Sequence, residues 1–158
     1  MRREMPDLDW DDDDVTTPLP RGRAGARILV VDDDEAMREM VASRLSREGY
    51  DVRDAVSGND LFDVLQTIAL DAWPLDGVDL IVLDNRMPGI SGTETVRWLR
   101  RARWTVPALL MTAFPDAEVR REAAALGLPI LAKPFGLAEL GDAVTRALVG
   151  RPDAPVLG

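Results

Sequence analysis

The chain has 158 residues, 46% hydrophobic and 30% charged, which suits one globular domain with a sizeable core plus tails. Its formal charge of -9 argues against a nucleic-acid surface, no apolar run reaches the roughly 18 residues of a membrane span, and no apolar segment follows the first arginines as in a secretory signal. A cytoplasmic protein that binds neither nucleic acid nor membrane is expected, and the lack of cysteine and histidine excludes disulfides, thiolate or imidazole metal sites and imidazole acid/base chemistry.

Residues 1–25 read as a disordered acidic arm, because Asp7, Asp9 and Asp11 to Asp14 repel one another and Pro18, Pro20, Gly22 and Gly25 break any regular element. The bland reading is a solubilising tail, and the sharper one is a docking peptide anchored by Trp10. Arg27 to Val31 reads as a buried strand that ends on Asp32-Asp33-Asp34-Glu35. Met37, Met40, Val41 and Leu45 then recur at helical spacing, with Asp34 as N-cap and Gly49 as the stop. Tyr50 to Val56 is a further strand, and Ser57-Gly58 begins a helix carrying Leu61, Val64, Leu65 and Ile68 on one face. Ala69 to Gly77 should lengthen that helix and turn at Pro74.

The stretch Val78 to Gly92 is central. Leu80-Ile81-Val82-Leu83 is apolar without alternation, as in a strand covered on both faces, and it ends on a lone carboxylate, Asp84. Pro88 and Gly89 turn the chain away from the sheet. Ser91-Gly92-Thr93-Glu94 offers a capping box for a helix through Val96, Leu99 and Ala102, and the run Arg97, Arg100, Arg101 and Arg103 is expected to be solvated at its C-terminus. Val106 to Met111 is the next strand, ending on Thr112; Pro115 to Leu126 is a helix stopped by Gly127. Pro129 to Ala132 is a last short strand before Lys133-Pro134, and Leu137, Leu140, Val144 and Leu148 mark a closing helix, after which 151–158 reads as a tail.

Strands alternating with amphipathic helices imply an α/β fold, a parallel sheet with helices on both faces. All strand ends then lie along one edge, which brings together Asp32, Asp33, Asp84, Thr112 and Lys133. Carboxylates gathered there without histidine or cysteine suit a hard divalent ion, and a small open site that keeps waters suits Mg2+. The hydroxyl and the ammonium opposite make a pocket for an anion, with phosphoryl oxygens the obvious candidate. Lys133 is the only lysine, every other positive side chain being arginine, and a compact ammonium fits a tight site better than a wide guanidinium.

Residues 27 to about 149 resemble a two-component response-regulator receiver domain. The resemblance rests on Ile28 to Asp34, on Asp79 to Asp84 with Met87-Pro88-Gly89 and Gly92, on Leu110 to Ala113 and on Ala132 to Phe135, all in order and each at a strand end. It implies a flavodoxin-like, doubly wound sheet of five parallel strands in the order 2-1-3-4-5, with the receiver spanning 26–150. It implies that Asp84 accepts a phosphoryl group from the phosphohistidine of a histidine kinase or phosphotransfer protein. Asp33, Asp84 and the backbone carbonyl of Arg86 would bind Mg2+ directly, with Asp32 acting largely through water, while Thr112 and Lys133 would hold phosphoryl oxygens. Arg86 and Phe114 occupy positions that in the family shape access of water to the phosphoryl group.

Two features depart from the family. An aromatic residue commonly stands three places before the lysine, where this chain has Ile130, and about eight extra residues surround Trp73-Pro74. The expectation is a single-domain regulator, not an enzyme beyond its own phosphorylation and dephosphorylation, that signals by contact with an unknown output protein and dimerises optionally. The rivals are a receiver-fold interaction module signalling without phosphorylation, and an aspartate-nucleophile phosphatase. The latter usually needs a second acid two residues after the nucleophile, where Arg86 stands here.

Overall fold

A computed structural model describes residues 25–70 and 78–149. Five strands and five helices alternate: β1 (Arg27–Val31), α1 (Glu35–Arg47), β2 (Asp51–Ala55), α2 (Gly58–Leu70), β3 (Leu80–Asp84), α3 (Gly92–Arg101), β4 (Ala108–Thr112), α4 (Ala117–Leu126), β5 (Ile130–Ala132) and α5 (Leu137–Val149). The strands are parallel throughout and lie in the order β2-β1-β3-β4-β5, as the family resemblance implies. The acidic arm, the Trp73-Pro74 segment, the C-terminal tail and the side chains of Leu65 and Ile68 lie outside the described residues.

The central strands carry no polar alternation because each buries both faces. Ile28 and Val30 of β1, Leu80 and Val82 of β3, and Leu109 and Met111 of β4 point into one core, where Val41 and Leu45 of α1 meet Leu140, Val144 and Leu148 of α5. Leu29, Val31, Ile81, Leu83, Ala108 and Leu110 point into the other, beneath Leu61 of α2, Val96 and Leu99 of α3 and Ala123 of α4. Each fully buried Leu or Ile contributes about 2 kcal/mol relative to exposure. The position of every strand end is therefore fixed by packing on both sides.

The helix termini follow the sequence signals. Asp34 accepts from the Met37 N–H and Asp116 from the Val119 N–H, and Ser91 and Glu94 complete both halves of a capping box. Ser57 Oγ accepts from the Asp60 N–H at 3.1 Å, while Asp60 Oδ2 accepts from the Val56 N–H at 2.9 Å. Gly127 closes α4 with φ of 71°, a left-handed conformation that glycine adopts without strain.

Some apolar and basic residues lie elsewhere than the sequence pattern suggests. Met40 and Leu137 are exposed rather than part of the buried stripes. In α1 the stripe leans the other way, through Met37, Val41, Ala42 and Leu45, because Met40 stands a full 100° from Val41 around the helix axis. Arg100 is not a solvated cap: its Nη1 donates to the Trp104 carbonyl at 3.0 Å and the Val106 carbonyl at 2.8 Å, and burial pulls its pKa down. It ties the chain where α3 turns into β4.

Candidate functional site

The C-terminal edge of the sheet gathers the loops that follow β1, β3, β4 and β5. Asp32, immediately after β1, is fully buried and engaged at every polar atom. Its N–H donates to the Ala55 carbonyl at 3.2 Å. Its own carbonyl accepts from Arg38 Nη1 at 2.9 Å, its Oδ1 from the Asp34 N–H at 2.9 Å and its Oδ2 from Lys133 Nζ at 3.1 Å. Asp33 contrasts with it. That side chain is exposed and, among the described residues, has no hydrogen-bond or ion-pair partner.

Asp84 ends β3, the middle strand of the sheet, and its side chain is 7% exposed. Lys133 Nζ lies 2.8 Å from Asp84 Oδ1, so one ammonium bridges Asp84 and Asp32. One oxygen each from Asp32, Asp33 and Asp84 fall within 4.8 Å of one another. Burial pushes the Asp84 pKa up, and the neighbouring Asp32 and Asp33 charges add to that, against the opposing pull of Lys133. Burial alone would lower the Lys133 pKa, but its hydrogen bond and attraction to Asp84, then Asp32, outweigh burial and raise it. The ammonium is therefore firmly charged while the carboxylates it serves remain crowded.

The donor set suits a hard cation. It offers oxygen donors only, three carboxylates within 4.8 Å of one another, the ligand chemistry that Mg2+ prefers. Among the described residues no donor engages the Arg86 carbonyl, so it too is available. Because both Asp32 oxygens are already taken and Lys133 occupies Asp84 Oδ1, the carboxylate oxygens left to approach an ion are those of Asp33 and Asp84 Oδ2.

Thr112 ends β4, buried to 1% exposure, and its Oγ1 accepts from the Phe114 N–H at 3.1 Å. A hydroxyl that accepts one hydrogen bond keeps its own proton to donate. Lys133 is held against the same strand end by its N–H, which donates to the Thr112 carbonyl at 2.8 Å, ahead of a cis Lys133-Pro134 peptide. Phe114 and Arg86, both exposed, meet above the edge with the guanidinium carbon 4.4 Å from the ring centroid. Asn85 is buried and braces the loop: its N–H donates to the Met111 carbonyl, and its Oδ1 and carbonyl accept from the Thr93 and Gly92 N–H groups. Ile130 lies away from the cluster, half-buried at the start of β5, paired with Leu110 and packed on the core beneath α3 and α4.

Asp32, Asp33, Asp84, Thr112 and Lys133 thus converge as the strand ends suggest, and Arg86 and Phe114 touch each other. Sequence reasoning missed Arg38. This half-buried α1 residue bonds the Asp32 carbonyl and places its Nε 3.2 Å from Asp54 Oδ2, fastening the acidic loop to the end of β2. The only signal was an arginine one turn into a helix that starts from an acidic loop.

Residues 28–145 match the sequence model of the response regulator receiver domain. The alkaline phosphatase synthesis transcriptional regulatory protein SphR of Synechococcus elongatus is 37% identical over 150 residues, covering 91% of this chain and 56% of that protein. The sporulation initiation phosphotransferase F of Bacillus subtilis is 32% identical over 123 residues, covering 77% of this chain and 93% of that protein. The chain spans about half the length of several curated relatives and nearly all of this one. Among solved structures, the chemotaxis response regulator CheY4 of Vibrio cholerae superposes with a TM-score of 0.68 at 30% identity, over 79% of this chain and all of that one.

Proposed function

The chain belongs to the response regulator receiver domain family of two-component signalling, and from that membership we propose that it accepts one phosphoryl group on Asp84 and passes the signal on by protein contact. Response regulators take their phosphoryl groups from histidine kinases and phosphotransfer proteins, and receiver domains are signalling modules rather than classical enzymes. The observation that carries the reading is the Lys133 ammonium, seated 2.8 Å from Asp84 Oδ1 and 3.1 Å from Asp32 Oδ2 inside a cluster of three carboxylates. A buried carboxylate with a fixed cation on one oxygen is suited to bring the other onto phosphorus.

In the proposed reaction a carboxylate oxygen of Asp84 attacks the phosphorus of a phosphohistidine supplied in trans, since this chain has no histidine. The P–N bond breaks as the O–P bond forms, and the bonding pair returns to the imidazole nitrogen, leaving a neutral ring whose other nitrogen carries a proton. Receiver domains bind Mg2+ at an acidic pocket, and here Asp33, Asp84 and the Arg86 carbonyl would hold it, with Asp32 acting through water. Bound there, the ion offsets negative charge on the carboxylates and the phosphoryl oxygens. Lys133 contributes the second cation, and Thr112 donates its free proton to a phosphoryl oxygen. Because Thr112 Oγ1 also accepts from the Phe114 N–H, drawing the hydroxyl toward the phosphoryl group pulls on the loop after β4. That movement replaces the aromatic readout whose usual place is taken by Ile130.

We assign the receiver to residues 26–150, between an acidic arm and a short tail, and place the protein in the cytoplasm with an optional homodimer. No helix among the described residues is long and apolar enough to cross a membrane. Signalling by protein contact is the reading that the likeness to the Bacillus phosphotransferase supports, 93% of which the chain spans. A small-molecule phosphodonor with Mg2+ tests the reading against a phosphatase. One equivalent of donor consumed per chain, then slow release, is expected. Continuous turnover of donor would reject it.

A further inference from the structure

The solvent face of α3 is unlike the other helix faces. Arg97 and Trp98, then Arg101, stand at helical spacing on one side, and Arg103 follows just past the helix end. Trp98 is 57% exposed, the largest apolar side chain left in water among the described residues. Arg101 and Arg103 are exposed and have no ion-pair partner among the described residues. The single acid on this face, Glu94, is already committed to the capping box with Ser91. Arg103 is held in place: its φ is 67°, its N–H donates to the Arg100 carbonyl, and Arg100 in turn clamps the Trp104 and Val106 carbonyls. The face is a preformed cationic surface around an aromatic anchor.

The same chain carries the complement. Between Asp7 and Asp14 stand six aspartates, no basic residue, and the apolar side chains Leu8 and Trp10. We propose that this N-terminal acidic segment docks on the Arg97-Trp98-Arg101-Arg103 face of α3, its aspartates against the arginines and Trp10 against Trp98. Reach permits it. Gly25 enters β1 at the edge where β4 also begins, since the Asp79 N–H bonds the Arg27 carbonyl and the Ile81 N–H bonds the Pro107 carbonyl across the strand starts. Two strand spacings separate β1 from β4, about 10 Å, and α3 ends on that edge immediately before β4. The residues between Asp14 and Gly25 span up to about 35 Å when extended.

Tethering makes even weak contact effective, because a short linker supplies an effective concentration of up to about millimolar. Charge contact of this kind at the surface weakens with salt. Docking removes Trp98 from water, neutralises the arginines and closes this face to any acidic partner that lacks the tether. The proposal stands apart from the phosphoryl chemistry, because none of these residues touches the carboxylate cluster.

The absence of cysteine gives a clean test. A Thr16→Cys variant of the full chain carries one nitroxide, and amide and indole peak intensities are read by NMR with the label oxidised and reduced. Peaks of Arg97, Trp98, Arg101 and Arg103 should lose about half their intensity or more at low salt. They should recover at about 1 M salt, where the screening length is ~3 Å, and also in an Arg101→Glu/Arg103→Glu background. Broadening confined to the neighbourhood of Gly25, or unchanged by salt and charge reversal, would overturn the proposal. So would broadening of isotope-labelled chains by spin-labelled partners in a mixed sample, which would mean that the segment docks on a second copy.

Discussion

The Arg86 guanidinium carbon lies 4.4 Å from the centroid of the Phe114 ring, joining the loop after β3 to the loop after β4. An exposed cation–π contact of this kind is worth about 0.5–1 kcal/mol, enough to keep the two side chains together for much of the time. Arg86→Ala and Phe114→Ala should each shorten the half-life of the phosphorylated form by a factor of about 2–5. The double variant should be no worse than the more damaging single one if the two side chains limit water access as a unit. Following phosphate loss after donor removal checks this. Unchanged half-lives would mean that water reaches the phosphoryl group by another route.

Lys133→Ala leaves three crowded carboxylates without their cation. In chelator the variant should lose about 2–3 kcal/mol of stability, toward the lower end for breaking a buried pair because Lys133 remains 16% exposed. Mg2+ should restore more stability to the variant than it adds to the wild type, because the ion then supplies the missing charge. Urea unfolding with and without Mg2+ reads both quantities. A loss that Mg2+ does not reduce would show that Lys133 acts by packing alone.

Glu94 titrates below the ordinary glutamate range, chiefly because its carboxylate accepts the Ser91 N–H, with the Ser91 hydroxyl and Arg97 adding to the effect. A folded-state pKa below the unfolded one means that the charged form stabilises the fold above the unfolded pKa of 4.5, and that the benefit is lost as pH falls through the depressed folded value. Glu94→Gln should therefore narrow its stability gap to wild type as the solution is acidified into that window. A gap constant from neutral pH to pH 3 would rule out the charged capping contact.

Much of the fold and site is legible in the sequence because the central strands are short, apolar and followed by polar residues, so Asp32, Asp84, Thr112 and Lys133 alone mark out the sheet edge. The lone lysine helped, since no other ammonium competes for the position. Contacts between loops were not legible. Arg86 and Phe114 are far apart in sequence and meet only because β3 and β4 are neighbours in the sheet. Arg100 looked like one more basic residue at a helix end, and only the turn through Arg103 brings the Trp104 and Val106 carbonyls within its reach. Met40 and Leu137 fit an apolar spacing but lie at the margin of their helix faces, where spacing alone does not decide burial.

Gly92 opens α3 against the end of β3. A Cβ there would lie 2.6 Å from the Asp84 carbonyl oxygen, 2.8 Å from Leu110 Cδ1 and 3.0 Å from Asn85 Cα. Two of these atoms are backbone, so the loop carrying Asn85 must move. Gly92→Ala should cost about 1–3 kcal/mol and slow phosphorylation further, because Asp84 shifts with the loop. Stability and phosphorylation rate both at wild-type levels would show that the loop yields without disturbing Asp84.

Asp84 is the residue proposed to take the phosphoryl group. Intact-mass measurement after incubation with acetyl phosphate or phosphoramidate tests it most directly, with Mg2+ present or chelated and an Asp84→Asn variant alongside. A gain of one phosphoryl group that needs Mg2+ and is absent from Asp84→Asn is the predicted result. No gain in the folded wild-type chain, or an equal gain in Asp84→Asn, would contradict it.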